Sequence, residues 1–273
     1  MLIDSHAHLD SERYSEDRAE MLARAWAAGV EAVLAIGIGE GPAQMHQALD
    51  ICREFNARPE SGAGLPKLYA SAGIYPHNTQ EADDAALTKL DGLLAEREVI
   101  ACGEIGLDYY HEGAAHDVQR AGLIRQLEIA AARKRPILIH CRPKDGATDA
   151  WDDLFDVLET HWRQTGLGGV MHCFSGEWEQ AQRSLDLGFL ISLAGQITYP
   201  KAQALRDVAA RLPLDGVLVE TDAPWLAPAP HRGKRNEPAL VTHTALVLAG
   251  LLGVSEEEIA AATTKNFQRL FHL

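Results

Sequence analysis

The sequence predicts a single (β/α)8 barrel over residues 1–273, on three observations. Eight short apolar runs alternate with segments of helical periodicity. Most of these runs are continuous rather than alternating in polarity, as expected for parallel strands covered by helices. No shift in composition divides the chain, and its 273 residues match the ~250 that such barrels use as one unit. A doubly wound open sheet has the same alternation and is the rival architecture.

The elements follow in order. The first run, LID (2–4), leads into SHAHLD and so places His6 and His8 at its end. EDRAEMLARAWAAG carries apolar residues at Met21, Leu22, Ala25 and Trp26, with Gly29 where a helix C-terminus favours it. The second run is AVLAIGI (32–38). The Gly- and Pro-rich ARPESGAGLPK (57–67) precedes the third, LYASAGI (68–74), and reads as a tolerated insertion on the face opposite the chemistry. VIACGEI (99–105) is the fourth. In DVQRAGLIRQLEIAAARKRP, Leu123, Leu127 and Ala130 share a helix face, basic residues fill the last turn, and Pro136 is the stop. ILIHC (137–141), GVMHCF (169–174), FLISLA (189–194) and VLVETD (217–222) complete the set.

Composition narrows the function. The chain is 47% hydrophobic and 23% charged, enough for a full core. No apolar run reaches the ~18–20 residues that span a bilayer. No basic and apolar leader follows Met1, so no membrane partner and a cytoplasmic location are expected. Cys52, Cys102, Cys141 and Cys173 form no CxxC pair and read as reduced thiols. A net charge of −14 argues against a nucleic-acid coat protein. It leaves a nuclease open, because bound divalent cations reverse the sign of a site locally. The phosphate-binding GxxxxGKS/T loop, a GxGxxG after a strand and GxSxG are absent, which weakens nucleotide-binding and serine-hydrolase readings.

Polar residues fall where a barrel builds its chemistry. His6 and His8 follow strand one and Glu104 lies near the end of strand four. His140, His172 and Asp222 end strands five, six and eight. In a parallel barrel these ends share one face. Glu104 and Asp222 would need partners for their buried charge, and a metal supplies them. Residues i and i+2 of a strand project to one side, so His6 and His8 can grip one cation. Imidazole and carboxylate donors suit Zn2+, Mn2+ or, with more oxygen ligands, Mg2+. HxH alone is a weak signal, and the ordered set of six is a strong one.

DSHAHLD, GEIGLDYY (103–110), ILIHCR (137–142), HCFSG (172–176), ETDAPWL (220–226) and RGKRNEP (232–238) together resemble the TatD family of metal-dependent DNases in the amidohydrolase superfamily. The likeness runs through essentially the whole chain, with every motif in order. It implies two divalent metal ions (Mg2+, Mn2+ or Zn2+). His6, His8 and Asp222 would hold one, His140 and His172 the other, and Glu104 would bridge them where related families use a modified lysine. It implies DNA as the partner, single-stranded or at an end, hydrolysed by water that the metals activate. Asp222 would orient that water and take its proton.

Further residues are weighed against plainer roles. His77, in GIYPH (73–77), could contact phosphate or protonate the leaving group, or be a turn histidine beside Pro76. Relatives often read GxHPH there, so Tyr75 is a departure and receives no role. Arg142 and Lys144, with Arg232, Lys234 and Arg235, offer positive charge to a DNA backbone. An ordinary solvated loop is the alternative, less so for RGKRNEP. Ser175 and Tyr199 could line a cleft or merely pack. Cys141 and Cys173, one residue off a ligand, should turn toward the helices, while Cys102 shares the parity of Glu104 two residues deeper; all three read as small buried hydrophobes. His46, His161, His243 and His272 receive no role, and His111 and His116 are expected to border the cleft without being ligands. Two other functions compete: metal-dependent hydrolysis of a lactone, amide or aminoacyl-tRNA ester, and an inactive metal-binding protein.

Overall fold

A computed structural model describes residues 1–273. The strands are β1 (Leu2–Ala7), β2 (Val30–Ala35), β3 (Lys67–Ala72), β4 (Val99–Asp108), β5 (Ile137–Arg142), β6 (Gly169–Met171), β7 (Phe189–Leu193) and β8 (Val217–Val219). They pair in sequence order, every neighbour parallel. β1 meets the segment that follows β8 through a bridge between Ala7 and Ala223. There the His8 N–H donates to Ala223 O (2.8 Å) and the Asp222 N–H to His6 O (2.9 Å). That contact brings the ring nearly to closure, as a barrel requires and a doubly wound open sheet does not.

Helices α1 (Arg18–Ala27), α2 (Gln47–Asn56), α3 (Asp84–Leu94), α4 (His116–Arg133), α5 (Asp149–His161), α6 (Trp178–Asp186), α7 (Gln203–Ala209), α8 (Val241–Leu252) and α9 (Glu256–Phe271) surround the strands. Met21, Leu22 and Ala25 of α1 are buried as expected, and so are Leu123, Leu127 and Ala130 of α4. The 57–67 segment joins α2 to β3, on the face where strands begin. No single helix is long and apolar enough to cross a membrane.

Two apolar layers result from strand alternation. One faces the helices. The other fills the barrel's lower half with Ile3, Leu34, Ile100, Leu138, Val170, Leu190 and Leu218, against which α9 lays Phe267 and Phe271. Above this plug, toward the strand C-termini, the interior turns polar, and the site lies there. Cys102 breaks the expected parity. It belongs to the helix-facing layer, because the pairing of β4 with β5 slips between Cys102 and Ile105. Burial pushes its thiol up to about 12.

β8 is shorter than VLVETD predicts. After Val219 the chain is drawn aside by buried Asp4, which accepts from the Thr221 N–H (2.9 Å) and hydroxyl (2.6 Å). Asp222 then takes a left-handed φ of 56°. At Gly106 (φ 144°) the strands crowd so closely that a Cβ would stand 1.9 Å from His140 O. Gly106→Ala is therefore expected to cost about 3 kcal/mol or more, through overpacking and backbone strain together. Equilibrium urea unfolding reads this directly, and an unchanged midpoint would mean that β4 and β5 do not approach this closely.

Candidate metal centre

Backbone irregularity delivers the first two histidines. The pairing of β1 with β2 slips between Asp4 and Ala7, so consecutive side chains both reach inward. The Ser5 hydroxyl meets Ser192 Oγ at 2.9 Å, while His6 stacks on His172 with ring centroids 3.5 Å apart. His8 follows on the same side: the two Nε2 atoms are 3.4 Å apart. From His6 Nε2 it is 3.4 Å to Glu104 Oε2 and 3.9 Å to Asp222 Oδ1. From His8 Nε2 the same oxygens lie at 3.7 and 3.4 Å.

Glu104 divides its two oxygens. Oε2 faces the His6/His8 pair, whereas Oε1 lies 2.9 Å from His140 Nδ1 and 3.2 Å from His172 Nε2. Each end of one carboxylate thus addresses its own pair of imidazoles.

This donor set fits divalent metal. Ligand atoms held about 2.1 Å from a single tetrahedral ion stand about 3.4 Å apart, close to the spacings around His6, His8, Glu104 and Asp222. The nitrogens and oxygens are of the kind that Zn2+ and Mn2+ accept. His6 Nδ1 is buried with no partner, so the protein itself does not hold that ring protonated. Burial, aided by nearby His172, pushes the His6 pKa down to about 3 and keeps its lone pair free at neutral pH. Burial alone would raise Glu104, but His172, His140 and His6 outweigh it and hold the carboxyl well below its usual range. For His172 burial acts downward, yet Glu220 and Glu104 raise its pKa well above the ordinary value. A metal ion there competes with a proton.

The profile of the TatD related DNase family matches residues 3–272. The chain belongs to the TatD family. It is a metal-dependent hydrolase of that family. The uncharacterized metal-dependent hydrolase YcfH of Escherichia coli K12 is 39% identical, the alignment covering 100% of this chain and 96% of that one. The 3'-5' ssDNA/RNA exonuclease TatD of Salmonella typhimurium is 32% identical, covering 100% of this chain and 99% of its own. Among solved structures, YJJV, a TatD homolog from E. coli K12, superposes with a TM-score of 0.86 at 33% identity, covering 100% of this chain and 98% of that one.

In this TatD protein the six sequence-predicted ligand residues all converge. Three others in contact with them were missed. Asp108 Oδ2 lies 3.2 Å from His140 Nε2, and the Tyr75 hydroxyl is 3.2 Å from the same nitrogen. Glu220 Oε1 lies 2.9 Å from His172 Nδ1, off the line of a good hydrogen bond, and accepts the Cys173 N–H at 2.7 Å. Strand parity could have found Asp108, four residues past Glu104 on β4, whereas Glu220 lies beyond the end of β8, where alternation no longer holds. Such carboxylates orient metal-binding imidazoles and raise their basicity. Glu220→Gln should weaken metal binding about 10–100-fold with the fold retained. Competition titration against a chelator measures this, and wild-type affinity would remove Glu220 from that role.

The basic residues divide. Arg142 and Lys144 line the cleft above the centre, Arg142 resting over the Tyr110 ring. Arg232, stacked over Tyr199, and Lys234 are exposed but outside the cleft lining. Arg235 is partly exposed and grips both oxygens of Asp17 (2.7 and 2.6 Å). RGKRNEP is largely a structural clasp. Buried Asn236 donates to Thr221 O and Trp225 O, and Glu237 pairs with Arg24. His77 is absent from the cleft lining and turns its Nε2 toward Asp108 Oδ2 at 3.4 Å. His111 borders the cleft, whereas His116 stacks on Tyr109. Cys141 and Cys173 line the cleft instead of facing the helices alone. A left-handed φ of 45° defeats the alternation rule at Cys173, and burial pushes its thiol up to about 12.

Proposed function

We propose that this TatD protein hydrolyses phosphodiester bonds of DNA, acting on single strands or on ends. The observation that carries the reading is a cleft of about 1000 Å³ with carboxylates and imidazoles in its floor and two free cations, Arg142 and Lys144, in its wall. In this reading His6, His8 and Asp222 would hold one divalent ion and His140 and His172 a second, with the Glu104 carboxylate facing both sets. When bound, the ions polarise a phosphoryl oxygen and lower the pKa of water. Asp222, its side chain 14% exposed toward the cleft, orients the attacking water and takes its proton. Arg142 and Lys144 hold the phosphate backbone in register. Trp225, 50% exposed in the cleft wall, offers a ring on which an unpaired base can stack. The ssDNA/RNA exonuclease named among the relatives supports the same substrate class.

The test uses purified protein of measured metal content. Substrates are end-labelled single-stranded DNA, blunt duplex DNA and a panel of lactones and amides, each with and without EDTA. Progressive, EDTA-sensitive shortening of the single strand is expected. Intact DNA beside metal-dependent carbonyl hydrolysis would overturn the reading in favour of an ester or amide substrate.

A further inference from the structure

We propose a third divalent-cation site, formed by His77, Asp108 and His111 on the flank of the main centre. Asp108 ends β4 and its side chain is fully buried. Its Oδ1 is occupied by the backbone N–H groups of Tyr110 and His111, both at 3.0 Å. Oδ2 accepts from the Tyr75 hydroxyl (3.4 Å) and faces three imidazoles, His111 Nδ1 at 2.9 Å, His140 Nε2 at 3.2 Å and His77 Nε2 at 3.4 Å. The donor atoms of His77, Asp108 and His111 lie within 4.8 Å of one another.

Two features distinguish this cluster from a simple hydrogen-bonded one. His77 Nε2 is buried yet makes no hydrogen bond, although it points into the group. Its ring also lies close against the Gly113 backbone. A Cβ at Gly113 would stand 2.7 Å from His77 Cδ2, so the loop bearing His111 is pressed against the short 3-10 segment (Pro76–Glu81) bearing His77. Two imidazoles and one carboxylate, with the His111 side open to the cleft, form a three-ligand set with positions left for water or substrate. This suits Zn2+, Mn2+, Co2+ or Fe2+ better than Mg2+. The ion binds more weakly than those of the main centre, because His111 is 48% exposed on a loop and Asp108 is shared with His140.

Metal binding at this cluster does not depend on the substrate. It is tested by titrating metal-stripped protein with Co2+ and Zn2+, with calorimetry and elemental analysis counting ions per chain. His111→Ala and His77→Asn are compared with wild type, and Asp108 is left intact because it also touches His140. Each variant is expected to bind one ion fewer per chain, losing the weakest step and keeping the tighter ones. His111→Asp, which restores a ligand, should recover that step, whereas His111→Leu should not. Thermal melts confirm that the variants are folded. Equal stoichiometry in wild type and both variants overturns the proposal, as does recovery by leucine. Failure of the main centre is distinguishable, since it would remove the tight steps from wild type and variants alike.

Discussion

Glu104→Gln is expected to strip metal from both halves of the centre and to cut hydrolysis about a thousandfold or more. The substitution keeps the shape of the side chain, so packing above the apolar plug is preserved. It replaces one oxygen with an NH2 group, a donor where a ligand is required. Whichever way the amide turns, one imidazole pair loses its acceptor: His6 and His8 at 3.4 and 3.7 Å, or His140 and His172 at 2.9 and 3.2 Å. Both pairs also lose the one negative charge they share, in a place where burial makes that charge effective. Removing metal that polarises the reacting group forfeits several kcal/mol of transition-state stabilisation, and about 4 kcal/mol is a thousandfold. Elemental analysis with single-turnover rates measures both effects. A variant that kept full metal and wild-type turnover would exclude Glu104 as the bridge.

The barrel was legible because its physics is local and repeated. Continuous apolar runs mark the strands, and a polar residue at the C-terminal end of a run marks the rim where a barrel keeps its site. His6, His8, Glu104, His140, His172 and Asp222 could be picked out on that basis. What escaped depends on contacts distant in sequence or on departures from alternation. β8 ends early because Asp4 pulls Thr221 out of line across the closing seam. Arg235 looks like a free cation in the sequence, yet its partner Asp17 precedes α1. A period-two rule places Cys102 and Cys173 on the wrong faces, because a register slip and a left-handed residue each suspend it. Tyr75 could not be valued without knowing that its hydroxyl meets His140.

Asp222→Asn is expected to lower turnover by about 10²–10⁴, the usual contribution of a positioned proton acceptor. The left-handed backbone makes Asn the right substitution. Asn tolerates a φ of 56°, whereas most other residues would add strain that confuses the result. The seam is also kept, since the Asp222 N–H to His6 O bond and the Trp225 N–H to Asp222 O bond (2.8 Å) both use the main chain. The change therefore falls on the carboxylate alone. That carboxylate has two proposed duties: Oδ1 lies 3.4 Å from His8 Nε2 and 3.9 Å from His6 Nε2, as a ligand would, and it opens to the cleft, as a proton acceptor must. Titrating the variant with excess Mn2+ separates the two. An amide oxygen can still ligate, though more weakly, so a loss due to metal binding alone is recovered as metal approaches saturation. An amide does not accept a proton at neutral pH, so the loss of that duty persists at any metal concentration. Persistent loss with full occupancy is the expected result, and complete recovery by metal would leave Asp222 as a ligand only.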